Sequence, residues 1–131
     1  MPDFNEPIKP LILVVDDDPG IRMLLEFILR KQFRVELSED GLDAMARMAR
    51  GRMPDLIMTD LEMPQLTGLE LLEQIRCSGL FQDIPVILLS GHHTLEVKQR
   101  CLDAGADQYL IKPFNPDSVI HAIRSALARA A

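Results

Sequence analysis

Five short apolar runs alternate with helical patterns along most of the chain, and this alternation is the feature that most constrains the fold. Four runs (residues 11–15, 56–58, 86–89 and 109–111) are continuously apolar, as expected for strands buried on both faces of a parallel sheet. The run 33–37 alternates apolar and charged residues, so we place it at a sheet edge. Strands alternating with helices predict an α/β doubly wound parallel sheet with helices on both faces.

The intervening helical patterns have recognisable ends. Asp18 and Pro19 supply an N-cap and a favourable first residue for the first helix, and Thr67 with Glu70 forms a capping-box pattern for the third. A second helix is expected over 41–50, a fourth over 94–104 that Gly105 can close, and a last one opening at residues 115–116. The apolar faces predicted for the first and last helices are Ile21, Leu24, Leu25, Ile28 and Leu29, and Val119, Ile123, Ala126, Leu127 and Ala130.

Size and charge exclude several classes of protein. A chain of 131 residues fits one domain, which we place at 10–131 after a proline-containing tail at 1–9. Its 20 acidic and 14 basic residues give a net charge of −6, which argues against direct binding of nucleic acid or an anionic membrane. No apolar run approaches the roughly 20 residues of a membrane span, and residues 1–10 lack the pattern of a secretion signal. Cys77 and Cys101 have no metal-binding spacing, so we expect reduced thiols in a cytoplasmic protein.

Charged and polar residues follow the predicted strands at the point where each one ends. Asp16 and Asp17 follow the first run, Asp60 the third, Ser90 the fourth and Lys112 the fifth. Ligands of open α/β sheets bind beyond the carboxyl ends of the strands, where these side chains are expected to converge. Two carboxylates about 4 Å apart repel by about 4 kcal/mol at an effective dielectric of 20. A bound cation would offset this repulsion, and an all-oxygen ligand set favours Mg²⁺ or Mn²⁺.

Four segments carry a family resemblance. They are LVVDDDP at 13–19, DLIMTDLEMPQLTG at 55–68, the serine that ends VILLS at 86–90, and KPF at 112–114. In this order and at these strand ends, they resemble the receiver domain of two-component response regulators, of which the chemotaxis response regulator is the stand-alone example. The resemblance covers residues 10–131 and implies a flavodoxin-like fold, with five strands in the order 2-1-3-4-5 and five helices.

The resemblance also implies roles for the residues at the strand ends. Asp60 would be the phosphoacceptor, attacking a phosphohistidine of a sensor histidine kinase or phosphotransfer protein. Asp17, Asp60 and the main-chain carbonyl of Glu62 would hold the Mg²⁺ or Mn²⁺ ion directly, with Asp16 helping through a water molecule. Asp18, by contrast, is expected to be only the helix cap.

The remaining implied roles concern the phosphoryl group and the switch. Lys112 would pair with the phosphoryl group, Ser90 and the backbone N–H of Gly91 would hydrogen-bond to it, and Ser90 and Tyr109 would form the switch. Ser90 stands where many members carry Thr, which preserves the hydroxyl. The 112–113 peptide bond is expected to be cis. The switched surface would be the face of the fourth helix, fifth strand and fifth helix, which would bind a downstream protein or output domain.

Two other functions compete with a signalling receiver that turns over only its own phosphoryl group. A phosphatase of the haloacid dehalogenase type uses Asp, Mg²⁺ and Lys on a similar sheet, but its motif needs Thr or Val where this chain has Gly20. A constitutive interaction module would not need the complete acidic and basic set. The acidic Glu62 is expected to alter the rate of dephosphorylation, and an unchanged phosphoryl half-life in Glu62→Ala would refute this. His92 is a second candidate for such tuning, whereas the pair His92–His93 is not expected to bind metal.

Overall fold

The computed structural model describes residues 8–91 and 94–130, in which strands and helices alternate from the first strand to the last helix. All strand pairs are parallel, and the order is β2-β1-β3-β4-β5, with β2 at one edge. This confirms the predicted doubly wound sheet of order 2-1-3-4-5 with five helices. The elements are β1 (Leu11–Val15), α1 (Pro19–Leu29), β2 (Arg34–Ser38), α2 (Gly41–Ala49), β3 (Leu56–Asp60), α3 (Gly68–Cys77), β4 (Val86–Ser90), α4 (Leu95–Asp103), β5 (Gln108–Ile111) and α5 (Pro116–Ala130).

The central strands are buried on both faces, and alternate residues point into two separate cores. One core contains Leu13, Val15, Ile57, Val86 and Leu88 with residues of α2, α3 and α4. The other contains Ile12, Val14, Met58, Ile87 and Leu89 with residues of α1 and α5. The continuous apolar runs therefore exist because each strand must supply both cores.

The predicted helix ends are confirmed. The Asp18 side chain accepts a hydrogen bond from the Gly20 backbone N–H at 2.8 Å, and Pro19 is the first residue of α1. Thr67 and Glu70 form the reciprocal capping box of α3. Gly105 follows α4 with a φ of 108°, a conformation that glycine adopts with little strain.

Three details of the sequence interpretation differ from the structure. The second strand is shifted by one residue from 33–37, because Phe33 is buried in the α1/α5 core while the ladder begins at Arg34. Leu24 is 46% exposed, because it lies at the margin of a stripe in which Leu25 and Leu29 are buried and Ile21 and Ile28 pack partly buried against the same core. Ala130 is exposed, because it is the last residue of α5.

The amino ends of β4 and β5 are joined by Arg76 of α3. Its guanidinium donates to the carbonyl oxygen of Gly105 at 2.8 and 3.0 Å and to that of Ile84 at 2.6 Å. It also pairs with Asp107 at 2.9 Å, and the same Asp107 oxygen accepts a hydrogen bond from the Val86 backbone N–H at 2.8 Å. One side chain therefore fixes the sheet end opposite to the predicted site.

None of the helices in the described residues is long and apolar enough to cross a membrane. Cys77 is exposed and Cys101 is buried, and both are free thiols. Burial raises the pKa of the Cys101 thiol.

Candidate functional site

The carboxyl ends of β1 and β3 bring three carboxylates together, as predicted. Asp16 and Asp17 directly follow β1, and Asp60 is the last residue of β3. Each of the three offers an oxygen, and these oxygens lie within 4.8 Å of one another. Asp16 and Asp60 are buried, with 1% and 5% of their surfaces exposed, whereas Asp17 is exposed. The cluster is therefore open to solvent on the Asp17 side.

Lys112, directly after β5, is the positive charge of this cluster. Its ammonium donates to Asp60 Oδ1 at 3.0 Å and lies 3.6 Å from Asp16 Oδ2. Burial lowers the pKa of Lys112, but the hydrogen bond to Asp60 and the negative charge of Asp16 outweigh burial and raise it. Lys112 is therefore a firmly protonated cation shared by two carboxylates.

The favourable contacts of Asp16 and Asp60 do not fully offset the cost of burying their negative charges. Burial is the largest cause that raises the pKa of Asp16, opposed by a hydrogen bond from the Asp18 backbone N–H at 2.9 Å. Burial also raises the pKa of Asp60, opposed by Lys112 and by a hydrogen bond from the Glu62 backbone. Burial thus outweighs the favourable partners at both groups, which is the usual electrostatic situation of a site that receives another cation.

Asp16 carries the observation that best tests whether a metal ion fits. Its Oδ2 atom is buried and has no hydrogen-bond partner. Buried polar atoms are normally hydrogen-bonded, so a carboxylate oxygen that makes no hydrogen bond, lies 3.6 Å from Lys112 and stands beside two further carboxylates fits a cation ligand. All of the donors are oxygens, and the set suits a hard divalent ion such as Mg²⁺. The residues present therefore fit the predicted metal.

Local contacts fix the backbone segments that carry these side chains. The guanidinium of Arg22, one turn into α1, donates to the Asp16 carbonyl oxygen at 2.6 Å. Gly68, the first residue of α3, donates its backbone N–H to the Leu61 carbonyl oxygen at 2.8 Å. The Lys112 backbone N–H donates to the Ser90 carbonyl oxygen at 2.7 Å, and the 112–113 peptide bond is cis, as expected.

Arg22 and Gly68 are contacts that the sequence interpretation missed. Arg22 could have been noticed as a basic residue in the first turn of a helix that follows three aspartates. Gly68 is the last residue of the 55–68 segment, but the sequence alone assigns it no role, because its contact depends on the path of the 61–67 loop.

The other predicted residues lie around this cluster. Ser90, the last residue of β4, is fully buried, and Gly91 after it is exposed. Glu62 is exposed in the loop after β3. Tyr109 is 9% exposed and packs in the core on the α3/α4 side of the sheet. His92 and His93 lie outside the described residues.

A cavity of about 500 Å³ lies beside the cluster, between the loop after β3 and α4. Leu61, Met63 and Leu69 line one side, and Val97 and Cys101 of α4 line the other. The residues that follow Asp60 and the inner face of α4 therefore pack in the same core and line one shared cavity.

Comparisons with known proteins agree with this geometry. Residues 12–124 match the family described as the response regulator receiver domain. The chain is 40% identical over 119 residues to the response regulator MprA of Mycobacterium leprae (strain TN), covering 90% of this chain and 51% of that protein. It thus spans about half the length of the curated relatives that it matches.

Solved structures give the same result. The chemotaxis response regulator CheY4 of Vibrio cholerae is 30% identical with a TM-score of 0.83, covering 90% of this chain and 98% of that one. The receiver domain of the sensor histidine kinase PA1611 from Pseudomonas aeruginosa PAO1 is 30% identical with a TM-score of 0.81, covering 92% and 98%. That structure contains a magnesium ion coordinated in its active site cleft. With its fold, its acidic cluster and its matching residues, this chain belongs to the family of response regulator receiver domains, whose family function is that of a phosphoacceptor in two-component signalling.

Proposed function

We propose that Asp60 is the phosphoacceptor and takes its phosphoryl group from a phosphohistidine of a sensor histidine kinase or phosphotransfer protein. The observation that carries this proposal is the 3.0 Å contact between Asp60 Oδ1 and the Lys112 ammonium, inside a cluster of three carboxylates. A carboxylate oxygen of Asp60 attacks phosphorus and forms the new P–O bond. The P–N bond breaks, and its electron pair returns to the imidazole nitrogen, which takes up a proton. The product is an acyl phosphate that water hydrolyses.

Asp16, Asp17, Asp60 and the main-chain carbonyl of Glu62 would hold a Mg²⁺ or Mn²⁺ ion. When bound, the ion supplies positive charge that offsets repulsion between the carboxylate and the incoming phosphoryl group. Asp16 supports this assignment because its Oδ2 atom is buried without a hydrogen-bond partner. Asp17 is exposed and stands at the side from which a hydrated ion can approach.

Lys112, Ser90 and Gly91 would bind the transferred group. Lys112 already contacts Asp60 and would follow the negative charge onto the phosphoryl oxygens. The Ser90 hydroxyl and the backbone N–H of Gly91 would donate to these oxygens. Ser90 is buried at the end of β4 and accepts a hydrogen bond from the Lys112 backbone, so movement of Ser90 is coupled to the residue after β5. Tyr109 on β5 would be the second switch residue.

The switched surface would be the face formed by α4, β5 and α5. Leu95 and Leu102 on α4 and Ile111 on β5 expose 81%, 36% and 38% of their surfaces, which supports an apolar contact with a downstream protein or output domain. The net charge of −6 gives no support to direct binding of nucleic acid.

The boundaries and location are also proposals. We assign residues 10–131 to the receiver domain and residues 1–9 to a tail, supported by the family match over 12–124 and by the start of β1 at Leu11. The free thiols of Cys77 and Cys101 are compatible with a cytoplasmic protein. We further propose that the chain catalyses only the gain and loss of its own phosphoryl group.

The deciding experiment is incubation with a small phosphodonor and Mg²⁺, followed by intact mass measurement. The wild-type protein should gain one phosphoryl group, and Asp60→Asn should gain none. Asp83→Asn, an exposed aspartate in the loop before β4, is the matched control and should be labelled normally. Labelling that persists in Asp60→Asn would reject Asp60 as the acceptor, and steady release of phosphate from an aryl phosphate would favour a phosphatase.

A further inference from the structure

The backbone next to Asp60 is in unusually close contact with the first residue of α3. A Cβ atom placed on Gly68 would lie 2.3 Å from the Asp60 carbonyl oxygen and 2.8 Å from the Leu61 Cα atom. Real Cβ atoms essentially never approach other heavy atoms closer than 3.0 Å. The atoms met here are backbone atoms, which cannot turn aside as the end of a side chain can.

Neither the backbone at Asp60 nor the first turn of α3 can move without disturbing its other contacts. Asp60 ends a central strand, and the Leu61 backbone N–H donates to the Leu89 carbonyl oxygen of β4 at 2.8 Å. On the other side, α3 is fixed by its capping box and by three fully buried side chains. The Gly68 N–H also donates to the Leu61 carbonyl oxygen, which draws the two segments together. The three buried side chains are Leu71, Leu72 and Ile75.

We propose that Gly68 is a positioning residue for Asp60. Its missing side chain lets the start of α3 lie directly against the backbone of Asp60, which fixes the carboxylate relative to Lys112 and Asp16. A methyl group at position 68 would force the contact with the Asp60 carbonyl oxygen to open by at least 0.7 Å, from 2.3 Å to 3.0 Å. The 3.0 Å contact between Lys112 and Asp60 would be disturbed as a consequence.

The expected effect of Gly68 on phosphorylation rests on the proposed role of Asp60, whereas its expected effect on cation binding does not. A shift of about 1 Å in a reacting group can lower a rate by about 10²-fold. For Gly68→Ala we expect phosphorylation by a small phosphodonor to slow by about tenfold or more. We also expect weaker binding of Mn²⁺ alone, because Asp60 belongs to the carboxylate cluster.

Gly41 provides the matched control. It is also the buried first residue of a helix, but its added Cβ would meet only the Leu66 side chain, at 2.7 Å. The closest of these atoms is Cδ2, at the far end of the side chain, and the three nearest atoms all belong to the Leu66 side chain and none to a backbone. Gly41→Ala should therefore retain Mn²⁺ affinity and phosphorylation rate within about twofold of wild type, since its contact does not involve Asp60. Gly79→Ala has nothing within 4 Å of its Cβ and should resemble wild type throughout.

The measurements are the Mn²⁺ dissociation constant and the phosphorylation rate, each taken on protein shown to be folded by circular dichroism. Equal values for Gly68→Ala and wild type would overturn the inference, as would equal losses in Gly68→Ala and Gly41→Ala. If wild type is not phosphorylated, the proposed function fails, while the Mn²⁺ titration still tests Gly68.

A second variant covers the case in which Gly68→Ala does not fold. Thr67→Val removes the cap hydrogen bond to the Glu70 backbone without adding an atom at position 68. It should loosen the first turn of α3 and reduce Mn²⁺ affinity by about two- to threefold, which corresponds to part of a typical cap contribution. Unchanged affinity in Thr67→Val would then overturn the inference.

Discussion

Replacing Asp16 by asparagine should stabilise the protein in the absence of divalent ions, although it removes one partner of an ion pair. At an effective dielectric of 20, the 3.6 Å contact with Lys112 attracts by about 4.6 kcal/mol, and repulsion from Asp60 within 4.8 Å is at least about 3.5 kcal/mol. These two interactions nearly cancel, and Asp17 adds further repulsion, so burial of the Asp16 carboxylate together with this repulsion decides the outcome. Because burial raises the pKa of Asp16, the uncharged form is favoured in the folded state.

The free energy of unfolding of Asp16→Asn at neutral pH with a chelator present should rise by about 1 kcal/mol, the usual size of a single-substitution effect. With a urea m-value of about 2 kcal/mol/M, the unfolding midpoint should rise by about 0.5 M. The asparagine side-chain oxygen can still accept the hydrogen bond from the Asp18 backbone, so the turn after β1 is retained. Urea titrations followed by circular dichroism measure the change.

Magnesium should reverse this order. At a concentration 100 times its dissociation constant, Mg²⁺ adds about 2.7 kcal/mol to wild type. If the variant binds Mg²⁺ tenfold more weakly, it gains only about 1.4 kcal/mol under the same conditions. The reasoning is refuted if Asp16→Asn is less stable than wild type in chelator, or if Mg²⁺ stabilises both proteins equally.

Asp43→Asn is the matched control, because the Ser38 hydroxyl lowers the pKa of Asp43 and the charged form is favoured there. This substitution should therefore destabilise the protein under the same conditions, by about 1 kcal/mol. A gain in stability for Asp43→Asn would show that loss of any aspartate charge relieves the net charge of −6, and that burial of Asp16 is not the cause.

Three further predictions concern stability. Arg76→Met should lower the free energy of unfolding by about 3 kcal/mol, because it leaves Asp107 and several backbone carbonyls without their partner; a urea midpoint equal to that of wild type would contradict this. The stability that Asp43 contributes should be present above its ordinary pKa of 3.8 and lost as pH falls through its lower folded-state pKa, so urea titrations across this range should show a weaker pH dependence in Asp43→Asn. Thr67→Ala should cost about 1 kcal/mol through loss of the α3 cap, measured by the thermal midpoint against Ser118→Ala at an exposed position of α5.

The sheet and the acidic cluster could be predicted because both follow from patterns of a few residues. Apolar runs defined the strands, and parallel strands bring their carboxyl ends to one edge, so Asp16, Asp60 and Lys112 had to approach one another. The contact of Gly68 could not be predicted in this way, since it depends on how the 61–67 loop returns to the sheet. Arg76 illustrates the same limit: its partners come from loops 6 to 31 residues away, and no periodic pattern links them.

Helix positions were predictable to within one face but not to individual side chains. Leu24 satisfied the spacing of an apolar stripe, yet it is 46% exposed beside the buried Leu25. A helix that packs on one side of a sheet buries a narrower stripe than the spacing rule allows, and the orientation of the helix about its axis decides which residues lie at the margin.

The sparse packing of α4 should make this helix easy to displace. Cys101 is its only buried residue, and the neighbouring cavity leaves room on its inner side. Such a helix contributes few apolar contacts to resist local opening, so its backbone amides should exchange with deuterated solvent sooner than those of α3. If the site is phosphorylated as proposed, we therefore expect α4 to change position more readily than α3.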